Sequence, residues 1–351
     1  MAIFSSGYNN ISPGDGKGYL YVVDIETGLI LQRLTTGVGC DGVDTTLPCV
    51  SGTVDPSGLG KINAWVEEAT FDNTALTVYG GDLKGNLWRF QLDNTHATVT
   101  LNSVTRLATL IDPSSVAQAV TTKPELGKVN GERVVFIGTG KFLGDSDKSS
   151  IQRQSFYAIK DPMTGTVSPQ VAIVRAGSYP TSTIAGFIRQ DMVASATNPL
   201  TERTTQIDAT VPAGSLPFVA PYASGWFIDW PDGGTAGSPS ERVNVDPILQ
   251  LGTLVVPSNV PNSDTCVAGG YGWINFLDFD TGSFIPGATG NMASQKISSS
   301  LVVGINVVQL PGGTIKTIVT TADNQQLTQA TPVAPSTVVG RRVSWRELFF
   351  E

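Results

Sequence analysis

The feature that most constrains the fold is an apolar strand followed by an Asp turn, which recurs along the chain. The four copies are "YLYVVDIETG" (19–28), "NLWRFQLDN" (86–94), "SFYAIKDPMTG" (155–165) and "WINFLDFDTG" (273–282). Their turn Asps, at positions 24, 93, 161 and 278, are separated by 69, 68 and 117 residues. Two nearly equal intervals and one longer interval predict a repeated structural unit, with an insertion between the third and fourth copies.

Other apolar segments flank each copy. One precedes it, at 2–8, 76–82, 133–143 and 251–260, and a third strand follows the first three copies at 29–35, 98–110 and 170–177. A last pair, 300–310 and 314–329, makes a fifth, partial set. Repeated antiparallel meanders are typical of propeller blades, so the sequence predicts an all-β fold, a β-propeller with loop insertions. We expect it to be irregular or truncated, because a closed ring usually has more sets of strands.

Large aromatic side chains recur in these strands. Tyr21, Trp88, Phe90, Tyr157 and Trp273 are predicted to fill the space between adjacent blades, where the same packing problem arises at each repeat. The alternative is an aromatic box for a ligand. We favour the core.

Charge and hydropathy exclude two classes of partner. The chain has 22 Lys and Arg against 30 Asp and Glu, which gives a net charge of −8 and no basic run for nucleic acid. Its longest apolar runs, such as "SLVVGINVVQL" (300–310), fall far short of the roughly 18 residues of a membrane-spanning helix. Because the start "MAIFSSGYNN" lacks the pattern of a secretory signal, the protein is expected to be either cytosolic or a piece of a longer one.

Two of the three cysteines are close in sequence. Cys40 and Cys49 bracket the polar segment "CDGVDTTLPC", which a hairpin or loop can close, so we predict a disulfide and an oxidising compartment. Two unrelated thiols are the alternative. Cys266 is then left as a lone thiol.

The predicted disulfide has a direct test. An oxidised sample is expected to weigh two hydrogens less than the reduced chain and to give a peptide that links residues 40 and 49. Replacing both cysteines with Ser is expected to cost about 2–3 kcal/mol of stability, since a short loop gains little closure entropy. Free thiols at both positions after purification in air would contradict the prediction.

Five phrases in order carry a family resemblance. They are "VYGGDLKGNLWRFQLD" (78–93), "FIGTGKFLGDSD" (136–147), "GWFIDWPD" with the following "ERVNVDPILQLGTLVVPSNVPNSDTC" (225–232 and 241–266), "GGYGWINFLDFDTG" (269–282) and "GRRVSWREL" (340–348). Together they closely resemble the C-terminal propeller domain of the PilY-type, or PilC-type, type IV pilus biogenesis and adhesion factors.

The resemblance implies a location and partners. Members are exported, lie at the pilus tip, cell surface or outer membrane, counter pilus retraction and carry adhesion functions linked to virulence. Pilins or minor pilins and a host or abiotic surface ligand are the implied partners. Residues 1–351 are then expected to be the propeller domain of a longer exported protein.

Catalysis finds little support in the residues. The sole histidine, His96, follows a turn, and one His with three scattered Cys makes no zinc or haem spacing. The enzyme alternative is a quinoprotein, because "YLYVVDIETGLIL" also looks like the blade repeat of pyrroloquinoline-quinone dehydrogenases. The strand after that Gly lacks the Trp of those repeats, and no adjacent Cys-Cys pair is present. We therefore expect a binding protein and not an enzyme.

A long polar segment, 178–215, is the predicted insertion. It is Thr-rich and longer than a normal connection, which indicates an adhesive or partner-covering loop. A surface excursion that only caps the propeller is the alternative. A third reading of the whole chain is therefore a glycan- or protein-binding, lectin-like propeller.

The resemblance also implies a calcium loop before Tyr79, where this chain departs from the family. The positions that match its ligands are Leu76, Thr74, Asp72 and Thr70, and Asp72 is the only carboxylate among them. Glu67 and Glu68 lie near. We predict a strand, a turn and a strand at 67–76 with no tight calcium site, and no other cofactor.

Calcium titration by calorimetry of the chelator-stripped protein checks this prediction. The expected result is no stoichiometric binding. A micromolar site that is lost in Asp72→Ala would contradict it.

Overall fold

The computed structural model describes residues 1–8, 10–11, 14–39, 56–68, 72–92, 104–164, 169–262, 269–297 and 300–333. Of Glu68 and Asp72 it describes only the backbone. The described elements are strands and two short 3-10 turns, at Asp145–Ser149 and Thr289–Asn291. The all-β prediction is therefore confirmed.

The strands form five successive meanders. The first is β1 (Ala2–Ser5), β2 (Tyr19–Val23) and β3 (Ile30–Thr35); the second is β4 (Ile62–Glu68), β5 (Asp72–Gly81), β6 (Asn86–Gln91) and β7 (Val104–Thr109). The third begins with β8 (Glu125–Val129), β9 (Glu132–Gly138) and β10 (Ser155–Lys160). After it come β11 (Arg175–Ala176), β12 (Thr183–Ile184), β13 (Phe187–Ala194), β14 (Glu202–Ile207) and β15 (Gly225–Asp229). The fourth is β16 (Ile248–Gln250), β17 (Thr253–Pro261), β18 (Gly270–Asp278) and β19 (Ser294–Ile297), and the fifth is β20 (Val302–Gln309), β21 (Ile315–Thr321) and β22 (Gln326–Ala330).

The third and fourth meanders are joined into one ten-stranded sheet. Its strand order is β16-β17-β18-β19-β14-β13-β15-β10-β9-β8. Strands β13 and β15 pair in parallel, whereas β14 pairs antiparallel with both β13 and β19. The two ends of the sheet approach each other where the backbone N–H of Leu249 donates to Glu125 Oε1 at 3.5 Å.

The position of β15 corrects one expectation. Residues 170–177 were expected to be the third strand of the third set, but Arg175–Ala176 pairs with β12. Strand β15, about fifty residues later, pairs with β10 in that place. The reason lies in the inserted segment, whose strands β13 and β14 complete the sheet between the third and fourth meanders. Segment 178–215 is thus partly a structural element of the sheet.

Four hydrophobic cores lie between successive meanders. Between the first and second meanders, Leu20 and Val22 face Val78 and Phe90, and between the second and third, Tyr79 and Leu107 face Val135 and Tyr157. Between the third and fourth, Phe136 and Trp226 face Leu254 and Leu277, and between the fourth and fifth, Val255 and Phe276 face Val302 and Val319. Adjacent residues of one strand, such as Val78 and Tyr79, supply two different cores, because successive side chains of a strand point to opposite faces. Each inner meander is therefore covered on both faces, as in a propeller.

The aromatic predictions hold in part. Trp88, Phe90 and Tyr157 are buried between meanders as predicted. Trp273 is buried too, but it packs against the guanidinium of Arg203. Tyr21 contradicts the prediction: its neighbours on β2 face the core, so its ring lies on the other face of the first meander, stacked on Phe4.

The repeated Asp turn is confirmed at three of its four copies. Asp24 Oδ1 accepts the backbone N–H of Glu26 at 2.8 Å, and Asp161 and Asp278 accept the N–H two residues on in the same way. Gly28 and Gly282 end two of these turns at φ of +73° and +71°, which favours glycine. Asp93 lies outside the described residues, as do Cys40, Cys49, Cys266, His96 and the phrase at 340–348.

In the described part of the chain, no helix is long and apolar enough to cross a membrane. Strands β4 and β5 pair antiparallel as far as Glu68 opposite Asp72, so the paired strands predicted around the calcium-loop position are present. The absence of calcium binding there stays a prediction.

Candidate functional site

The loop that follows β15, "DWPDGG" (229–234), gathers polar side chains from both joined meanders. The guanidinium of Arg153 donates to four main-chain carbonyls of the loop: Trp230 at 2.7 Å, Pro231 at 3.1 Å, Asp232 at 3.4 Å and Gly233 at 2.9 Å. The ring of Tyr179 lies against the same guanidinium, 3.8 Å from its Cζ. One arginine therefore fixes the path of the loop.

An ion pair lies beneath the loop. Arg175 forms a bidentate ion pair with Asp229, with N–O distances of 2.9 and 2.8 Å. The side chain of Arg175 is 0% exposed and that of Asp229 is 4% exposed. Ser155 and Ser182 donate their hydroxyls to the same carboxylate, at 2.6 and 3.2 Å. Arg175 also donates to the hydroxyl of Tyr157, whose pKa is raised by burial. The carboxylate thus has partners for both of its oxygens.

A second charged cluster lies on the outer side of the loop. Asp232 Oδ2 accepts hydrogen bonds from Tyr271 Oη and Trp273 Nε1, both at 2.9 Å, and forms an ion pair with Arg203 at 2.6 Å. The guanidinium of Arg203 stacks on the indole of Trp273, 3.6 Å from the ring centroid. Lys296 Nζ lies 3.8 Å from the centroid of the Tyr271 ring. This cluster presents aromatic rings and cations side by side.

Glu241 supports that cluster from below. It is fully buried, pairs with Arg203 at 3.0 Å and accepts the hydroxyl of Ser258 at 2.6 Å. Burial raises the pKa of Glu241, while the positive charge of Arg203 acts in the other direction. Arg203 is therefore the one cation that serves both Glu241 and Asp232.

A cavity of about 260 Å³ opens beside the loop. Tyr179, Pro231 and Met192 give it apolar walls, and Arg189, Asp191 and Asp229 give it charged ones. Arg189 is itself paired with Asp191 at 2.8 Å and with Asp208 at 3.2 Å. Because its charges are already paired, the cavity is suited to recognise a neutral or zwitterionic polar group by hydrogen bonds.

No cluster of three or more His, Cys, Asp or Glu that could hold a metal ion occurs in the described ranges. The arrangement offers a surface of paired charges with aromatic side chains beside them.

Comparison with known proteins identifies the family of the chain. A family model described as the PilY1 beta-propeller domain matches residues 1–186, more than half of the chain. The chain belongs to the PilY1 beta-propeller family.

Relatives agree with this assignment. The type IV pilus biogenesis factor PilY1 of Pseudomonas aeruginosa (strain PAO1) is 26% identical over 324 residues, which are 85% of this chain and 26% of that protein. A PilY1 homolog of Xylella fastidiosa (strain Temecula1) is 26% identical over 315 residues, 86% of this chain and 19% of that protein. The chain thus spans about a quarter or less of the length of these PilY1 relatives.

A solved PilY1 structure supports the fold. The C-terminal domain of Pseudomonas aeruginosa PilY1 superposes with a TM-score of 0.65 at 20% identity, covering 94% of this chain and 69% of that one. The β-propeller prediction is confirmed by this likeness together with the PilY1 family match.

The sequence indicated the site only through the phrase "GWFIDWPD", which resembles the PilY family. It missed Arg153, Arg175 and Arg203, which bind the loop from three other segments. No local sequence pattern marks these three arginines, because their partners lie in distant parts of the chain. Segment 178–215 was singled out, and it does supply part of the cavity wall. Cys40 and Cys49 lie outside the described residues, and of Asp72 only the backbone is described.

Proposed function

We propose that this chain is a binding domain of a type IV pilus biogenesis factor. The observation that carries the proposal is the PilY1 family match over residues 1–186, joined to the likeness of the whole fold to the PilY1 C-terminal domain. In this role it acts from outside the cell, at the pilus tip, cell surface or outer membrane, and opposes pilus retraction by binding pilins or minor pilins. Adhesion to a host or abiotic surface is the second part of the proposal.

The geometry favours binding over catalysis. The described charged groups of the site neutralise one another in pairs such as Arg175–Asp229 and Arg203–Glu241, and Arg153 is occupied by main-chain carbonyls. A general acid or base needs a titratable group that is within reach of a substrate. Paired, buried charges instead keep a surface in one shape, which is what a partner protein recognises. The cavity beside the 229–234 loop is the proposed pilin contact.

A single and a double gene deletion test the pilus role. In the source bacterium, deletion of the gene is expected to abolish surface pili, and additional loss of the retraction motor is expected to restore them. Surface pili restored in the double deletion would indicate that the protein opposes pilus retraction. If the double deletion still lacks pili, the protein acts in assembly and not against retraction; if the single deletion is fully piliated, the pilus role is wrong.

Point variants test the cavity better than a deletion, because segment 178–215 contains two strands of the sheet. Tyr179→Ala and Asp191→Ala are expected to reduce piliation and minor-pilin capture at normal protein levels. Leu200→Ala is the matched control, since Leu200 lies in the same segment, is 83% exposed and is not among the residues that line the cavity. Equal piliation in all three variants would contradict the proposal that the cavity is the pilin contact.

Adhesion is tested separately. Binding of the purified domain to host cells and to glass is measured for the wild type and the same three variants. A loss in Tyr179→Ala or Asp191→Ala but not in Leu200→Ala would assign adhesion to the cavity. Absence of wild-type binding to both surfaces would contradict the adhesive role.

A further inference from the structure

The outer face of the first meander carries a second, larger cavity. In β2, Leu20 and Val22 face the core, so Tyr19 and Tyr21 face the other way. Phe4 on β1 lies directly opposite Tyr21 and is 48% exposed. These side chains, with Asn10, Asp15 and Arg33, line a cavity of about 570 Å³. That volume lies within the roughly 300–1,000 Å³ of small-molecule sites.

Three aromatic rings line this cavity. The rings of Phe4 and Tyr21 are stacked, with centroids 5.4 Å apart and planes inclined by 23°. Tyr19 adds a third ring, 6.2 Å from that of Tyr21. Aromatic surface that stays open to solvent on a sheet face is costly unless something covers it.

The rim of the cavity carries hydrogen-bonding groups that are held in place. Asp15 accepts the hydroxyl of Tyr19 at 2.6 Å and the backbone N–H of Lys17 at 3.0 Å. Although partial burial acts in the other direction, these two bonds hold the pKa of Asp15 below its usual value, so it is a carboxylate at neutral pH. Asn10 donates its amide N–H to the carbonyl of Lys17 at 2.7 Å.

One polar atom of a residue that lines the cavity has no hydrogen-bond partner among the described residues. The side-chain oxygen of Asn10 is buried and accepts no hydrogen bond from any described residue. A buried acceptor without a donor costs free energy, which a ligand hydroxyl would recover.

The charges of the rim select against ionic ligands. Arg33 already lies over the ring of Tyr19, with its Cζ 5.1 Å from the centroid, so a ligand cation would meet a guanidinium there. An anion would be attracted by Arg33 but repelled by the carboxylate of Asp15 and by a chain whose net charge is −8. A neutral ligand avoids both penalties.

We propose that this face of the first meander binds a neutral pyranose sugar. A pyranose offers a face of C–H bonds, which packs on the exposed aromatic surface of the Phe4–Tyr21 stack, and hydroxyls that donate to the oxygens of Asn10 and Asp15. The proposal goes beyond the pilus role and does not depend on it, because sugar binding is measured on the isolated chain.

The test uses lactose, cellobiose and chitobiose as neutral probes and 3′-sialyllactose as the acidic comparison. Saturation-transfer NMR and calorimetry on the wild-type chain are expected to show binding of at least one neutral disaccharide, and sialyllactose is expected to bind about tenfold more weakly than lactose. Phe4→Ala is expected to weaken neutral-sugar binding about tenfold, and Tyr21→Ala as much or more. Phe4 is half exposed, so its variant is expected to fold even if Tyr21→Ala does not.

Two further variants place the ligand and test the charge argument. Tyr179→Ala, which removes a tyrosine from the other cavity, is expected to leave sugar binding unchanged. Asp15→Asn keeps the shape of the rim and removes its charge, so it is expected to narrow the difference between lactose and sialyllactose.

The proposal is overturned if none of the neutral sugars binds at about 10 mM, or if Phe4→Ala binds as well as the wild type. A loss of binding in Tyr179→Ala alone would place the sugar in the other cavity, which also overturns the proposal.

Hydroxyl-radical footprinting of the full-length protein tests whether a segment of protein, and not a sugar, occupies this face. If Phe4 and Tyr21 are already protected without sugar, a segment of protein covers this face; protection that appears only with sugar supports the proposal.

Discussion

Replacing Asp229 with Ala is expected to lower the free energy of unfolding by about 3–5 kcal/mol, because it leaves a buried guanidinium without its counter-charge. Arg175 makes both of its N–O ion-pair contacts with this carboxylate, and its side chain has no exposed surface through which water could replace them. The hydroxyls of Ser155 and Ser182 would lose their acceptor in the same step. Urea unfolding followed by fluorescence is the measurement.

Asp145→Ala is the matched control. Asp145 also forms an ion pair, with Lys148 at 2.8 Å, but its side chain is 95% exposed and the pair is screened by water. No measurable change in stability is expected there. Equal effects of the two substitutions on the free energy of unfolding would show that the buried Arg175–Asp229 pair stabilises the fold no more than an exposed pair does.

The fold was predictable where local chemistry repeats. The Asp turns at 24, 161 and 278 were recognisable because an Asx turn needs only the Asp and the backbone two or three residues on. Along β2, Leu20 and Val22 lie in the core, so alternation places Tyr21 on the opposite face. Tyr21 was misassigned because its size was given more weight than its position between those two residues.

The rest depended on contacts between distant parts of the chain. Strand β15 reaches β10 only after the inserted segment, so proximity in sequence pointed to residues 170–177 instead. The site rests on Arg175–Asp229 and Arg203–Glu241, whose partners are 54 and 38 residues apart. A single sequence carries no signal for such pairs, because each arginine taken alone is compatible with a solvated position.

Arg203→Met is expected to cost about 3–5 kcal/mol at neutral pH, because it leaves the carboxylate of Glu241 buried without its cation. Met fills most of the space of the arginine stem above Trp273, so lost packing contributes less than the lost charge. Asp232 also loses its ion pair, but it keeps the hydrogen bonds from Tyr271 and Trp273.

The cost of Arg203→Met is expected to depend on pH in a defined direction. Burial raises the pKa of Glu241 in the folded state above that in the unfolded chain, and loss of Arg203 raises it further. A group of this kind contributes stability below its unfolded pKa, near 4.3, and loses that contribution as the pH rises through its folded pKa. The destabilisation should therefore be larger at about pH 8 than at about pH 5, as measured by urea unfolding.

Glu241→Gln in the same chain is the decisive control. Gln keeps an acceptor for the hydroxyl of Ser258 and removes the charge that Arg203 compensates. The double variant Arg203→Met with Glu241→Gln is expected to regain most of the lost stability and to lose its pH dependence between about pH 5 and 8. If it is as unstable as Arg203→Met alone, or if the single variant is equally destabilised at both pH values, the contribution of Arg203 is packing on Trp273 and not compensation of a buried carboxylate.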